Sequence, residues 1–166
     1  MKYLASCTFA LTAALAASAV QAAAPKPVPQ VERTSNNPTA VISSTASVPA
    51  DMKLIFLSGM TPSAPDAAKP EELGDTRAQT LSILTKMKAQ LKGMGLGMGD
   101  IVKMTVFLVA PEPGGRMDSA AMNEVFKTFF GTPEQPNKPT RSTVQVAALG
   151  RPTMFVEIEA IAAKAP

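Results

Sequence analysis

The sequence predicts an α+β domain in which one sheet carries two helices on one face. Three features predict it. Short apolar runs rich in β-branched residues are separated by two stretches of helical period. Glycine or proline closes each run, and the last third of the chain alternates as two successive strands. With 166 residues, 46% of them apolar and 17% charged, the chain holds enough material for one modest core and no second domain.

The elements follow in order. A first strand is expected over Thr39 to Ser44. Leu54-Ile55-Phe56-Leu57-Ser58-Gly59 is a short apolar run stopped by glycine, hence a strand. From Asp75 to Met94 the apolar residues Leu84, Met87, Leu91 and Met94 recur at three- and four-residue spacing, which is one face of a helix. The cluster Gly93-Met94-Gly95-Leu96-Gly97-Met98-Gly99 fits neither dinucleotide nor P-loop spacing and closes a helix instead of opening one, so it reads as a C-cap and turn. Ile101 to Val109 is the next strand. Pro111, Pro113, Gly114 and Gly115 make a loop. Asp118 or Ser119 can then cap a helix with the stripe Met122, Val125, Phe126, Phe129 and Phe130. Two closing strands, Arg141 to Leu149 and Thr153 to Ala163, are joined by Gly150-Arg151-Pro152.

The N-terminus has different physics. Lys2, an uncharged apolar stretch from Leu4 to Val20, and Val20-Gln21-Ala22 fit a secretory signal peptide over 1–22, with export to the periplasm or outside the cell. The stretch is too short for the ~20 residues of a spanning helix, so no membrane attachment is expected after cleavage. Cys7 comes too early for a lipoprotein acylation site, since no apolar region precedes it. Residues 23–38, including Pro25-Lys26-Pro27-Val28-Pro29, read as a Pro-rich disordered linker, with the globular domain over 39–166.

Removal of the signal also removes Cys7 and Tyr3, the only cysteine and tyrosine; the chain has no His or Trp. Disulfides, thiolate nucleophiles, imidazole bases and Cys/His zinc sites are thereby excluded. Carboxylate, Arg, Lys, hydroxyl and backbone chemistry remain. Loss of Lys2 lowers the formal charge from +3 to +2, and the charges are scattered, which argues against nucleic acid as a partner.

Alternation in the closing strands puts Val144, Val146 and Ala148 with Met154, Val156, Ile158 and Ala160 on one apolar face. A three-residue hairpin connection would set Leu149 opposite Thr153 and Gln145 opposite Glu157. Arg141, Thr143, Gln145, Glu157 and Glu159 would then line the face away from the helices. That face also carries Leu149, Phe155 and Phe107, and a mixture of polar and large apolar groups suggests a surface covered by another subunit.

Four ordered blocks carry a resemblance: Leu57-Ser58-Gly59; Gly99-Asp100-Ile101-Val102-Lys103-Met104-Thr105-Val106-Phe107-Leu108; Met122-Asn123-Glu124-Val125-Phe126 with Phe129-Phe130; and Pro139-Thr140-Arg141-Ser142-Thr143-Val144-Gln145 continuing to Val156-Glu157-Ile158-Glu159-Ala160. Together they make the chain similar to the RidA family of reactive imine deaminases over residues 54 to 163. The resemblance implies a chorismate-mutase-like fold and a homotrimer with clefts at subunit boundaries. It further implies hydrolysis of 2-imino and 2-enamino acids to 2-keto acids and ammonia, without a cofactor or metal.

Residue by residue, the family's carboxylate-binding arginine falls on Arg141 and its acidic residue on Glu157, which would handle water and protons. Ser58 and Gly59 would orient the ligand through a hydroxyl and a backbone N–H. Thr143 replaces a cysteine whose backbone carbonyl positions water, and Asn123 is a further motif residue, either ligand-facing or a packing hydrogen bonder. The mature chain lacks the tyrosine that active members place in the site, and its loop 110–117 is longer. A trimer that binds small carboxylates without turnover, or a holdase-like interaction protein, is the alternative.

Overall fold

The structure is a computed structural model and describes residues 27–37 and 39–166. Among the described residues, six strands and two α-helices form in the order β1 (Glu32–Thr34), β2 (Thr45–Ser47), β3 (Lys53–Met60), α1 (Thr76–Gly93), β4 (Ile101–Leu108), α2 (Ser119–Phe126), β5 (Thr140–Gln145) and β6 (Val156–Lys164). A four-stranded sheet runs in the order β3-β6-β4-β5, and β1 pairs with β2 as a separate ribbon.

Local chemistry sets the helix ends. Asp75 accepts from Ala78 N at 2.8 Å and opens α1. At its far end Leu96 N donates to Leu91 O and Gly95 N to Lys92 O, with Gly95 at φ 72°. That is a Schellman closure, in which glycine takes the left-handed conformation without Cβ strain. Asp118 caps α2 by accepting from Ala121 N at 3.0 Å.

Both helices lie on one face. Ile83, Leu84, Met87 and Leu91 of α1, with Met122, Val125 and Phe126 of α2, meet Leu57, Met104, Val106, Leu108, Val156, Ile158, Ala160 and Ala162 of the sheet. The fully buried Gln79 ties α1 to the connection before β6. Its Nε2 donates to Gly74 O and Thr153 O at 2.9 and 2.8 Å, and its Oε1 accepts from Phe155 N at 2.7 Å.

The closing hairpin does not form. β5 pairs in parallel with β4, whereas β6 is antiparallel to β4 and β3 and lies between them. Residues 146–155 are a crossover, not a turn, and β5 is left at the sheet edge. The expected opposition of Gln145 to Glu157 is replaced by Leu108 opposite Gln145 and Phe107 opposite Glu157.

The faces change with it. Directly paired residues share a face, so Arg141, Thr143 and Gln145 lie with Met104, Val106 and Leu108 on the helix side. Glu157 and Glu159 lie with Phe107 and Thr105 on the open side. Arg141 and Glu157 therefore project from opposite faces of one protomer, contrary to the sequence reading. Val144, expected in the core, is 42% exposed on the open face. The alternation had the right period, but pattern alone could not show which parity of an edge strand met the helices.

Two N-terminal expectations also change. Thr39 to Ser44 is not a strand. The fold instead takes in part of the Pro-rich linker 23–38: β1 pairs with β2, and Arg33 Nη2 donates to Gly99 O at 2.9 Å and Ile101 O at 3.2 Å. The signal peptide read over 1–22 lies outside the described residues, and no described helix is long and apolar enough to cross a membrane.

Candidate functional site

Two clusters gather the predicted site residues. The first lies where β5 runs beside α2. Arg141 Nη2 donates to Asn123 Oδ1 at 2.7 Å, and Nη1 approaches Met122 Sδ at 3.6 Å. Its guanidinium lies over the Phe126 ring with the central carbon 4.3 Å from the centroid. Phe126 is itself stacked on Phe130 at 4.4 Å. Met122, Asn123 and Phe126 share one turn of α2, so a single helical face builds the cradle.

This cation is costly as it stands. Every neighbour that holds it is neutral, and no carboxylate among the described residues pairs with it. Its Nε is buried without a partner, as is Thr143 Oγ1 one alternation further along β5. Burial pushes the Arg141 pKa down to about 10. A buried charge without a counter-ion is destabilising, and such perturbed groups cluster at sites that take ligands. The fork of a guanidinium matches a carboxylate with two parallel N–H bonds.

The second cluster lies on the open face. Leu57 pairs with Ala160 and Met60 with Ile158, so three steps along β3 match two along β6. The extra residue is a β-bulge over Ser58 and Gly59, and it turns both outward, where they are exposed. Against it stands the half-buried Glu157, whose carboxyl lies directly over the Gly59 α-carbon.

The structure thus joins Arg141 with Asn123, and Glu157 with Gly59 and its neighbour Ser58. It does not bring the two sets together within one protomer. Asn123 acts on Arg141 rather than standing free. Phe126 and Met122 were read as core stripe, and their second role could not be seen until β5 was known to pack on α2. Nearby on the open face, Lys103 Nζ donates to Ser142 Oγ at 2.8 Å, and a groove of about 380 Å³ runs among Phe56, Ser58, Thr105 and Glu159. Phe56 is 72% exposed there.

Fold and site together define a small α+β protein with a half-buried arginine at a sheet edge, unpaired among the described residues, and a carboxylate on the other face. Residues 34–164 match the family model described as Endoribonuclease L-PSP. TdcF of Escherichia coli, provisionally named a reactive intermediate deaminase, is 40% identical over 111 residues, covering 67% of this chain and 79% of that protein. A RutC family protein of Pyrococcus horikoshii is 36% identical over 110 residues, or 66% of this chain and 79% of the relative. Among solved structures, YyfB of Yersinia pestis, from the Rid family, superposes with TM-score 0.61 at 25% identity, covering 78% of this chain and 96% of that one. Escherichia coli TdcF with bound serine gives TM-score 0.54 at 34% identity, covering 84% and 99%. The chain belongs to this family, the Rid family of reactive intermediate deaminases.

Proposed function

We propose that this protein is an exported hydrolase of 2-imino and 2-enamino acids, yielding 2-keto acids and ammonia. The observation that carries the reading is the half-buried Arg141 guanidinium, held by Asn123 and Phe126 and paired with no carboxylate among the described residues. The substrate carboxylate supplies the missing counter-charge. Glu157 takes a proton from water as it attacks the imine carbon and passes it to nitrogen, giving the carbinolamine. It then takes the hydroxyl proton and delivers it to nitrogen as the carbon–nitrogen bond breaks, so that the keto acid and ammonia leave and the carboxylate is restored. Ser58 and the Gly59 N–H orient the reacting end, and the backbone carbonyl of Thr143 positions the water. Positioning supplies most of the acceleration.

Because Arg141 and Glu157 face opposite sides of the sheet, one small ligand meets both where two protomers adjoin. We therefore place each active site between Arg141 of one protomer and Glu157 of its neighbour in a homotrimer. The exposed Phe56, Leu54 and Val144 support this, since an apolar sheet face of that kind favours cover. A binding protein without turnover is the second reading, and the absence of tyrosine from the mature chain favours it.

The test generates 2-iminobutyrate with an amino-acid oxidase and follows its loss by semicarbazide trapping. Wild-type protein should accelerate that loss, and Arg141→Ala and Glu157→Gln should not. Refolded together in equal amounts, the two inactive variants should regain about a quarter of wild-type activity, as random mixing across a cyclic interface requires. Recovery of none would place both residues in one chain's site. Wild-type protein that binds 2-ketobutyrate yet leaves the imine untouched would select the binding reading.

A further inference from the structure

The Ser58–Gly59 bulge does more than present a backbone N–H. A Cβ placed on Gly59 would fall inside the contact radius of Glu157 Oε1, 3.0 Å from Cδ and 3.3 Å from Cγ, so all three of its nearest atoms belong to one side chain. Core packing does not demand this glycine, because the residue is exposed. Backbone conformation does not demand it either, because Gly59 lacks the positive φ of Gly74 (76°), Gly95 (72°), Gly114 (70°) and Gly131 (73°). What a side chain here would disturb is the Glu157 carboxyl.

We infer that Gly59 is a positioning residue: the bare α-carbon on the bulge is the seat that fixes the Glu157 carboxylate, and so decides where the proton is handled. The inference rests on the assignment of Glu157 as the proton carrier and adds how that group is held. The bulge slips one extra residue into β3 between Leu57 and Met60, both packed against the core. This brings the Gly59 main chain under residue 157, while Leu57 and Met60 anchor it on either side. A flexible carboxylate on three rotatable bonds would otherwise sample several rotamers. With the glycine hydrogen as its floor, it can lie flat against the strand. An alanine leaves the fold intact, because the far end of Glu157 can swing aside, but the carboxyl then sits elsewhere.

Displacing a reacting group by about 1 Å can cost about a hundredfold in rate. In full-length mature protein, Gly59→Ala should lower kcat for 2-iminobutyrate by about ten- to a hundredfold, with KM and 2-ketobutyrate affinity within about twofold, since Arg141 is untouched. Glu157→Asp retracts the carboxyl by one methylene. It should therefore be harmful in the wild-type background yet raise kcat in the Gly59→Ala background. A merely structural glycine would show no such rescue. If Glu157→Gln is inactive while Gly59→Ala turns over like wild type, the seat is refuted and the role of Glu157 stands. If Glu157→Gln retains full activity, the proton-carrier assignment falls first. A crystal structure of Gly59→Ala decides the matter without activity: a displaced carboxyl supports the seat, and an unmoved one overturns it.

Discussion

Replacing Arg141 with Met separates a binding cation from a structural one. The substitution keeps the apolar stem and removes the charge. The depression of the Arg141 pKa by burial to about 10 sets a ceiling of about 3 kcal/mol on the penalty for keeping the folded protein charged there. Residual solvent contact discounts this to about 2 kcal/mol. Against that relief stand the stacking on Phe126, worth about 1 kcal/mol, and the hydrogen bond to Asn123, worth about 1 kcal/mol net. The two sides cancel to within about 1 kcal/mol, so the melting temperature should move by no more than about 3 °C. Carboxylate binding should respond very differently. Two charge-assisted hydrogen bonds carry at least about 3 kcal/mol, so 2-ketobutyrate affinity by calorimetry should fall more than about a hundredfold. A destabilisation of about 3 kcal/mol or more, the usual cost of breaking a buried structural ion pair, would refute the argument that this guanidinium awaits a ligand.

Other outcomes follow from the same geometry. Asn123→Asp gives Arg141 an internal carboxylate in place of the neutral acceptor now at 2.7 Å. Thermal stability should rise and 2-ketobutyrate affinity should drop at least about tenfold, because the site is already neutralised. Affinity should be level from neutral pH to about 9 and decline above pH 10, as Arg141 loses its proton. Above about pH 10 the unfolded chain still holds the proton the folded state releases, so this group contributes stability that rises with pH there. Gln79→Leu removes three hydrogen bonds around the β5–β6 crossover. It should cost about 2–4 kcal/mol in denaturant unfolding, because the groups left behind are buried.

The sequence was informative where periodicity and end signals were local. Asp75, Gly95 and Asp118 bounded the helices because capping involves neighbours in the chain. Met154, Val156, Ile158 and Ala160 were readable as core because alternation survives any pairing order. Strand order was not readable. The spacing of Gly150-Arg151-Pro152 suits a hairpin, yet β6 gains more by filling the gap between β3 and β4, where its even-numbered residues are covered and both edges are paired. That non-local choice moved Arg141 to the helix side. The identities of Arg141, Glu157, Ser58 and Gly59 could be proposed from motif blocks, whereas the stacking on Phe126 and the contact between Gly59 and Glu157 depend on elements far apart in sequence.

The strand latest in the sequence is one of the two inner strands of the main sheet. β6 ends at Lys164, two residues from the C-terminus, and every other strand of the main sheet depends on it directly or through β4. A sheet lacking β6 falls into two unjoined parts, β3 alone and β4 with β5, over no continuous core, so the sheet closes only once β6 is in place.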